Sequence, residues 1–353
     1  MTPPPTLPPR PHRILLVQLR RLGDVLLSTP LLEDLRAAFP DARIDYLVGR
    51  AAAPLLAGEP LAGELLVYDA AHPIREIHRL RARRYDWVID LQSSPRTSHL
   101  ARLSGARVRA GWAIRGLWRF MYTHRLPRGG PPEYVVRERQ RMLELLGVSV
   151  APRRPRLHPD DAEREAGERV LRASGIRDGD RIVAFTLGAG ERSKEWPSRR
   201  WAELARALRA RGTVPLLFEM PGDAERVAAF RDAGGDAVVV RLPELRRFLG
   251  ALAHCDVFVA GDTGPAHMAT ALDVPTVTLH GPTNPANWSA RLPITMPLRR
   301  NADCPACARG RGAASEGHDC MGGIDVPAVE AAVAALLAAQ PAGASRFARE
   351  AGA

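Results

Sequence analysis

The chain has 353 residues, with 50 Lys and Arg against 39 Asp and Glu, a formal net charge of +11, 46% hydrophobic residues and 25% charged ones. That composition excludes wholesale disorder, collagen and coiled coil, and the length suits two domains that each bury a core. Four cysteines are too few for a disulfide scaffold. No apolar run nears the roughly 20 residues that span a bilayer, and the opening "MTPPPTLPPRPHR" lacks the apolar stretch of a secretory signal, so a cytoplasmic protein with reduced thiols is expected.

Residues 1–12 read as a disordered proline-rich lead. The segments 13–19, 43–48, 65–68 and 87–91 are apolar, strand-like runs. Helical patterns fall at Val25 to Phe39, around 73–84 and 95–103, and from Glu133 to Leu146, where Gly147 stops the helix. This βαβ rhythm predicts a parallel sheet covered on both faces. "APRRPRLHP" (151–159) has three prolines and no period, and reads as a linker. Asp160 then caps a helix running to about Ser174.

The rhythm restarts with strands at 181–187, 213–218, 237–240, 256–260 and 275–280, and helices near 198–211, 223–233, 243–253 and 264–272. The expected division is 13–155 and 160–325, then a closing helix at 326–340 and a disordered tail at 341–353. Ligands of open α/β sheets sit beyond the carboxyl ends of the strands, so the loops after strands are the places to search.

Charge is uneven. Residues 1–150 hold 23 arginines and 14 acids; residues 151–353 hold 26 arginines, one lysine and 25 acids. A basic first half points to an anionic partner. Lys194 is the one lysine beside 49 arginines. Its survival suggests a need for a compact charge on a flexible stem.

Four loops carry candidate chemistry. In "LRRLGDVLLSTP" (19–30), Asp24 is either a helix cap or a general base, and Arg20 and Arg21 favour a phosphorylated substrate. "LGAGERSKEWP" (187–197) has Gly188 and Gly190, which admit close backbone approach, and Lys194. It imitates a dinucleotide fingerprint, with Glu219 as the ribose acid, but Trp196-Pro197 separates the glycines from the helix, so an anion-binding loop fits better. In "VAGDTGPAHMATAL" (259–272), Asp262 and Thr263 cap a helix with Gly264 and Pro265 at its start and His267 in its first turn. Such a terminus seats a diphosphate. "HGPTNPANW" (280–288) offers Gly281 and Thr283. "DGD" (178–180) imitates a metal-binding D-x-D but reads as a turn.

Together these loops resemble the lipopolysaccharide heptosyltransferases, glycosyltransferase family 9, over roughly residues 13–335. "RRLGDVLLSTPLL", "GAGERSKEWPSRRWAEL", "CDVFVAGDTGPAHMATAL" and "TVTLHGPTNP" keep the family's order and spacing, and the opening is most similar to the heptosyltransferase III branch. The resemblance implies an α/β GT-B fold, two Rossmann-like doubly wound domains facing a cleft. It implies an inverting enzyme that needs no cofactor or metal and uses ADP-L-glycero-D-manno-heptose as donor. The acceptor is the lipopolysaccharide inner core, reached from the cytoplasmic side of the inner membrane by a peripheral protein on its anionic surface. Asp24 corresponds to the base. Gly190, Lys194, Thr263, Gly264 and His267 correspond to the diphosphate site. Asp262, Glu225 (Glu219 as second choice), Leu242, Pro243, Gly281 and Thr283 complete the donor site, and Arg20, Arg21 and Gly23 face the acceptor. The alternative is a family member with another nucleotide sugar or glycan acceptor.

A nucleic-acid partner is not expected, because neither aromatic platforms nor a helix-turn-helix is found. Cys304, Cys307, His318 and Cys320 have spacing reminiscent of zinc ligands, but Gly312 stands near where many family members carry another cysteine. Free thiols are therefore preferred to a Cys3His site. Cys255 reads as core.

Overall fold

A computed structural model describes residues 8–61, 63–113, 120–299, 320–341 and 347. The chain divides into two compact units, Met1–Pro155 and Arg156–Ala353.

The first unit holds a parallel sheet of β1 (Arg13–Gln18), β2 (Arg43–Gly49), β3 (Leu65–Tyr68), β4 (Trp87–Asp90), β5 (Val108–Trp112) and β6 (His124–Leu126), in the order β3-β2-β1-β4-β5-β6. Its central strand β1 is apolar throughout, as burial on both faces demands: Ile14 to Val17 are at most 1% exposed. The helices are α1 (Leu22–Leu26), α2 (Thr29–Ala38), α3 (Pro73–Ala82), α4 (Pro95–Leu103) and α5 (Val135–Glu144).

Where one helix is expected over 25–39, two occur. The Ser28 hydroxyl donates to the Asp24 carbonyl (2.8 Å) and that of Thr29 to the Leu26 carbonyl (2.9 Å), and Pro30 can only begin a helix. β5 and β6 are not evident in the sequence. β5 carries Gly111 within it, where a Cβ would come within 2.6 Å of the Tyr122 ring, and β6 has only three residues. The lead, expected to be disordered, is tied down near its end: Trp87 Nε1 donates to the Pro9 carbonyl (3.1 Å), and the His12 and Arg13 amides donate to Asp86 Oδ2.

The second unit repeats the plan with β7 (Ile182–Phe185), β8 (Val214–Glu219), β9 (Val238–Arg241), β10 (Val257–Gly261), β11 (Thr276–Leu279) and β12 (Thr295–Leu298), ordered β12-β11-β10-β7-β8-β9. β12 was not expected; Pro297 disguises it, and an edge strand tolerates proline. The helices are α6 (Asp161–Ala173), α7 (Ser198–Ala210), α8 (Ala224–Asp232), α9 (Leu245–Ala253), α10 (Gly264–Ala271), α11 (Pro285–Trp288) and α12 (Val326–Ala338). Asp160 forms a capping box with Glu163 at the start of α6. "DGD" is a turn with Gly179 at φ +86°; Asp178 pairs with Arg172, and Asp180 accepts the Arg177 amide. In the tail expected to be disordered, Phe347 is buried against His254 (5.8 Å between rings).

Both sheets follow the doubly wound order in which the strand sequence reverses between the first and fourth strands. That switch point lies between β1 and β4 in one unit and between β7 and β10 in the other.

Candidate active site

In the second unit the loop after β7 is pinned from several sides. Trp196 is buried in the core edge-on to Trp201 (4.8 Å), and its Nε1 donates to the Ile324 carbonyl (2.9 Å). Glu195 accepts from Arg226 (2.6 Å), and the Lys194 amide donates to the Glu191 carbonyl (3.0 Å). Lys194 is thereby carried to the end of β10. A Cβ on Gly261 would stand 3.1 Å from the Lys194 carbonyl oxygen. Its ammonium lies 3.7 Å from Asp262 Oδ2, and His267 Nε2 lies 3.7 Å from Asp262 Oδ1. The lone lysine, the "DTG" turn and the first turn of α10 therefore share the switch point of this sheet.

Thr263 holds the N-cap position of α10, but its hydroxyl donates to the Gly261 carbonyl (3.2 Å), and neither it nor Asp262 caps the helix. The expected capping roles give way to a buried Asp262 that faces the Lys194 ammonium and the His267 ring. Gly264 opens the helix, so its amide belongs to the terminus that lacks a side-chain cap.

One further buried polar group stands at this end of the sheet. His280, immediately after β11, is buried; its Nε2 bonds Thr278 Oγ1 (3.0 Å) and its Nδ1 bonds Thr283 Oγ1 (3.2 Å). Burial pushes its pKa down to about 4, with Asp262 opposing and His267, Arg299 and Lys194 reinforcing the fall. It is a neutral ring that fixes the Thr283 hydroxyl. Only the tertiary structure reveals this, since a single histidine after a strand carries no signal.

Two glycines are required by the protein's own packing. At Gly188 a Cβ would lie 2.4 Å from Asp223 Oδ1, and at Gly281 2.7 Å from Met321 Sδ. Gly190 lies in an exposed turn. Toward the other side of the sheet, Glu225 is exposed in the first turn of α8, while Leu242 is buried and Pro243 exposed just after β9. Glu219 is taken up by Arg241 (3.0 Å), which disfavours it as a ribose ligand. Cys255 is buried. Cys304, Cys307 and His318 lie outside the described residues, and Cys320 is half-buried. Among the described residues no cluster of His, Cys, Asp and Glu could hold a metal ion.

In the first unit the switch point carries Arg20, Arg21, Gly23 and Asp24. Gln92, in the loop after β4, accepts the Leu19 amide (3.1 Å) and so holds the loop after β1. Arg21, not Asp24, is the N-cap of α1; Asp24 stands in its first turn. Its carboxylate accepts from the buried Arg139 on α5 (2.6 Å), which also donates to the Asp24 carbonyl (2.7 Å). Gly23 is buried, and Arg20 and Arg21 are exposed. Arg96 lies 5.8 Å from the Tyr68 ring centre and Arg128 5.3 Å from that of Trp112. Arg20, Arg96 and Arg128 have no carboxylate partner among the described residues, whereas Arg43, Arg83 and Arg153 are all paired. Nothing in the sequence separates the two sets.

Two Rossmann-like doubly wound units, each with polar loops at its switch point, define the architecture of a GT-B glycosyltransferase. The chain belongs to glycosyltransferase family 9 (heptosyltransferase), whose family pattern matches residues 74–315. It is 28% identical over 287 residues to lipopolysaccharide heptosyltransferase 3 of Escherichia coli, covering 75% of this chain and 82% of that one. It is 28% identical over 318 residues to lipopolysaccharide heptosyltransferase 1 of Pseudomonas aeruginosa, covering 84% and 86%. The crystal structure of the family 9 glycosyltransferase from Veillonella parvula superposes with a TM-score of 0.80 at 25% identity, over 93% of this chain and 98% of that one. Among the described residues no helix is long and apolar enough to cross a membrane.

Proposed function

We propose that the protein transfers heptose, with inversion, from ADP-L-glycero-D-manno-heptose to the inner core of lipopolysaccharide. It works as a peripheral protein at the cytoplasmic face of the inner membrane. Asp24 takes the proton from an acceptor hydroxyl as that oxygen attacks the anomeric carbon. The bond from that carbon to the diphosphate oxygen breaks, and ADP departs. Lys194, His267 and the amides at Thr263 and Gly264 meet the charge that grows on the leaving group, a role that leaves no step for a required metal. Asp262 holds Lys194 and His267 in place, Thr283 bonds the donor, Glu225 takes the ribose, and Leu242 and Pro243 flank the adenine. Arg20 and Arg21 meet the acceptor's anionic groups beside Gly23.

The observation that carries this reading is the 3.7 Å approach of the lone lysine to Asp262 at the uncapped start of α10. The names of the relatives and the unpaired arginines of the basic first unit support the acceptor. The test supplies ADP-heptose or UDP-sugars with lipid A–core from a strain lacking this protein. Release of ADP with a mass gain of one heptose on the acceptor is expected. Turnover confined to another nucleotide sugar, or no gain on the glycolipid, overturns the proposal.

A further inference from the structure

Asp24 is held in an unusual way for a surface-facing base. Its helix has only five residues and gives the carboxylate no cap to serve. Arg139 reaches it from a helix more than 100 residues away in sequence, with a side chain only 5% exposed. One guanidinium nitrogen of Arg139 donates to Asp24 Oδ1 (2.6 Å). Another donates to the Asp24 backbone carbonyl (2.7 Å) and to Ser28 Oγ (3.0 Å), whose own proton goes to that same carbonyl (2.8 Å). The planar fork thus binds both the side chain and the main chain of one residue, which fixes the carboxylate's rotation as well as its place. Oδ2 has no protein partner among the described residues, and the side chain is 18% exposed. One oxygen is anchored and the other is left to meet a hydroxyl.

We infer that Arg139 is a positioning residue for transfer: it orients Asp24 so that Oδ2 alone addresses the acceptor hydroxyl. This rests on the reading of Asp24 as the base. A buried arginine here has a simpler use, to stitch α5 to the break between α1 and α2, so the test must separate the two roles.

Turnover, donor KM and ADP affinity are measured for the full-length protein and for R139M, R139K, D24N and D24N/R139M, with slow rates read as product mass over hours. Positioning predicts that R139M lowers kcat about 100-fold while donor KM and ADP affinity stay unchanged. R139K, which keeps the charge but not the fork, recovers part of the loss. In the D24N background R139M costs nothing further, because the group it positions is gone. The inference is overturned if R139M leaves kcat intact, or if it lowers the D24N rate by the same factor as the wild-type rate, as a purely structural role would. If R139M does not fold, R139K and D24N/R139K make the same comparison. Wild-type turnover by D24N refutes the base reading itself; an inactive D24N with a fully active R139M refutes only the role of Arg139.

Discussion

Lys194 is the single ammonium among 50 basic side chains, and its loop is fixed by a buried tryptophan, a glutamate–arginine pair and a turn of 3-10 helix. The sequence singled it out by its rarity; the structure adds that it lies 3.7 Å from a buried carboxylate. Lys194→Ala should lower kcat/KM by about 100-fold, or ~3 kcal/mol of transition-state stabilisation, with the melting temperature nearly unchanged. Lys194→Arg should recover little, because a planar fork does not replace a compact charge in a shaped loop. Steady-state kinetics of the two variants checks both. His280 makes a pH prediction. Its folded pKa is near 4, below the ordinary value of 6.5, so between these values the unfolded chain binds more protons. Stability is therefore complete above about pH 6.5 and declines as pH falls toward 4, by up to ~3 kcal/mol. His280→Gln should flatten that decline in thermal melts. An unchanged profile would mean the ring is not held neutral by burial.

Among elements, the helices with a clear 3.6-residue period were legible to within two or three residues, because amphipathicity and caps are written locally. The exception is 25–39, where two hydroxyls and a proline divide one apolar stripe into α1 and α2. Short strands were less legible: β5, β6 and β12 carry three to five residues, with a glycine or a proline inside two of them, and acquire their identity from neighbours. The crossing of α6 and α9 depends on a glycine pair. A Cβ on Gly250 would come 2.0 Å from the Glu163 carbonyl oxygen, and one on Gly167 2.2 Å from the Ala251 amide. Neither obstacle is a flexible side-chain end. Gly250→Ala should therefore destabilise the second unit by about 1–3 kcal/mol, measured by denaturant unfolding. An unaffected midpoint would contradict this close contact between the helices.

For the whole molecule, two units with separate cores predict that ligand binding is felt unevenly. In calorimetry of the full chain, ADP at 100 times its Kd should raise the stability of the second unit by about 2.7 kcal/mol and leave the first unit's transition in place. A shift confined to the first unit would place the nucleotide on the wrong side. The repeating alternation of apolar runs and amphipathic helices determined the α/β class and the two-sheet plan, since burial of a parallel strand on both faces and of a helix on one leaves a mark in every few residues. The motif loops, too, could be located by their position after strands. The sequence could not say that Gly188 and Gly281 make room for Asp223 and Met321, that Asp262 faces Lys194 and His267, or that Arg139 holds Asp24. Apart from Asp262 and His267, which are near neighbours in the chain, those relations join residues tens to more than a hundred positions apart. They exist only when the sheet order brings β1 beside β4 and β7 beside β10, and pairings across such distances leave no local period to read.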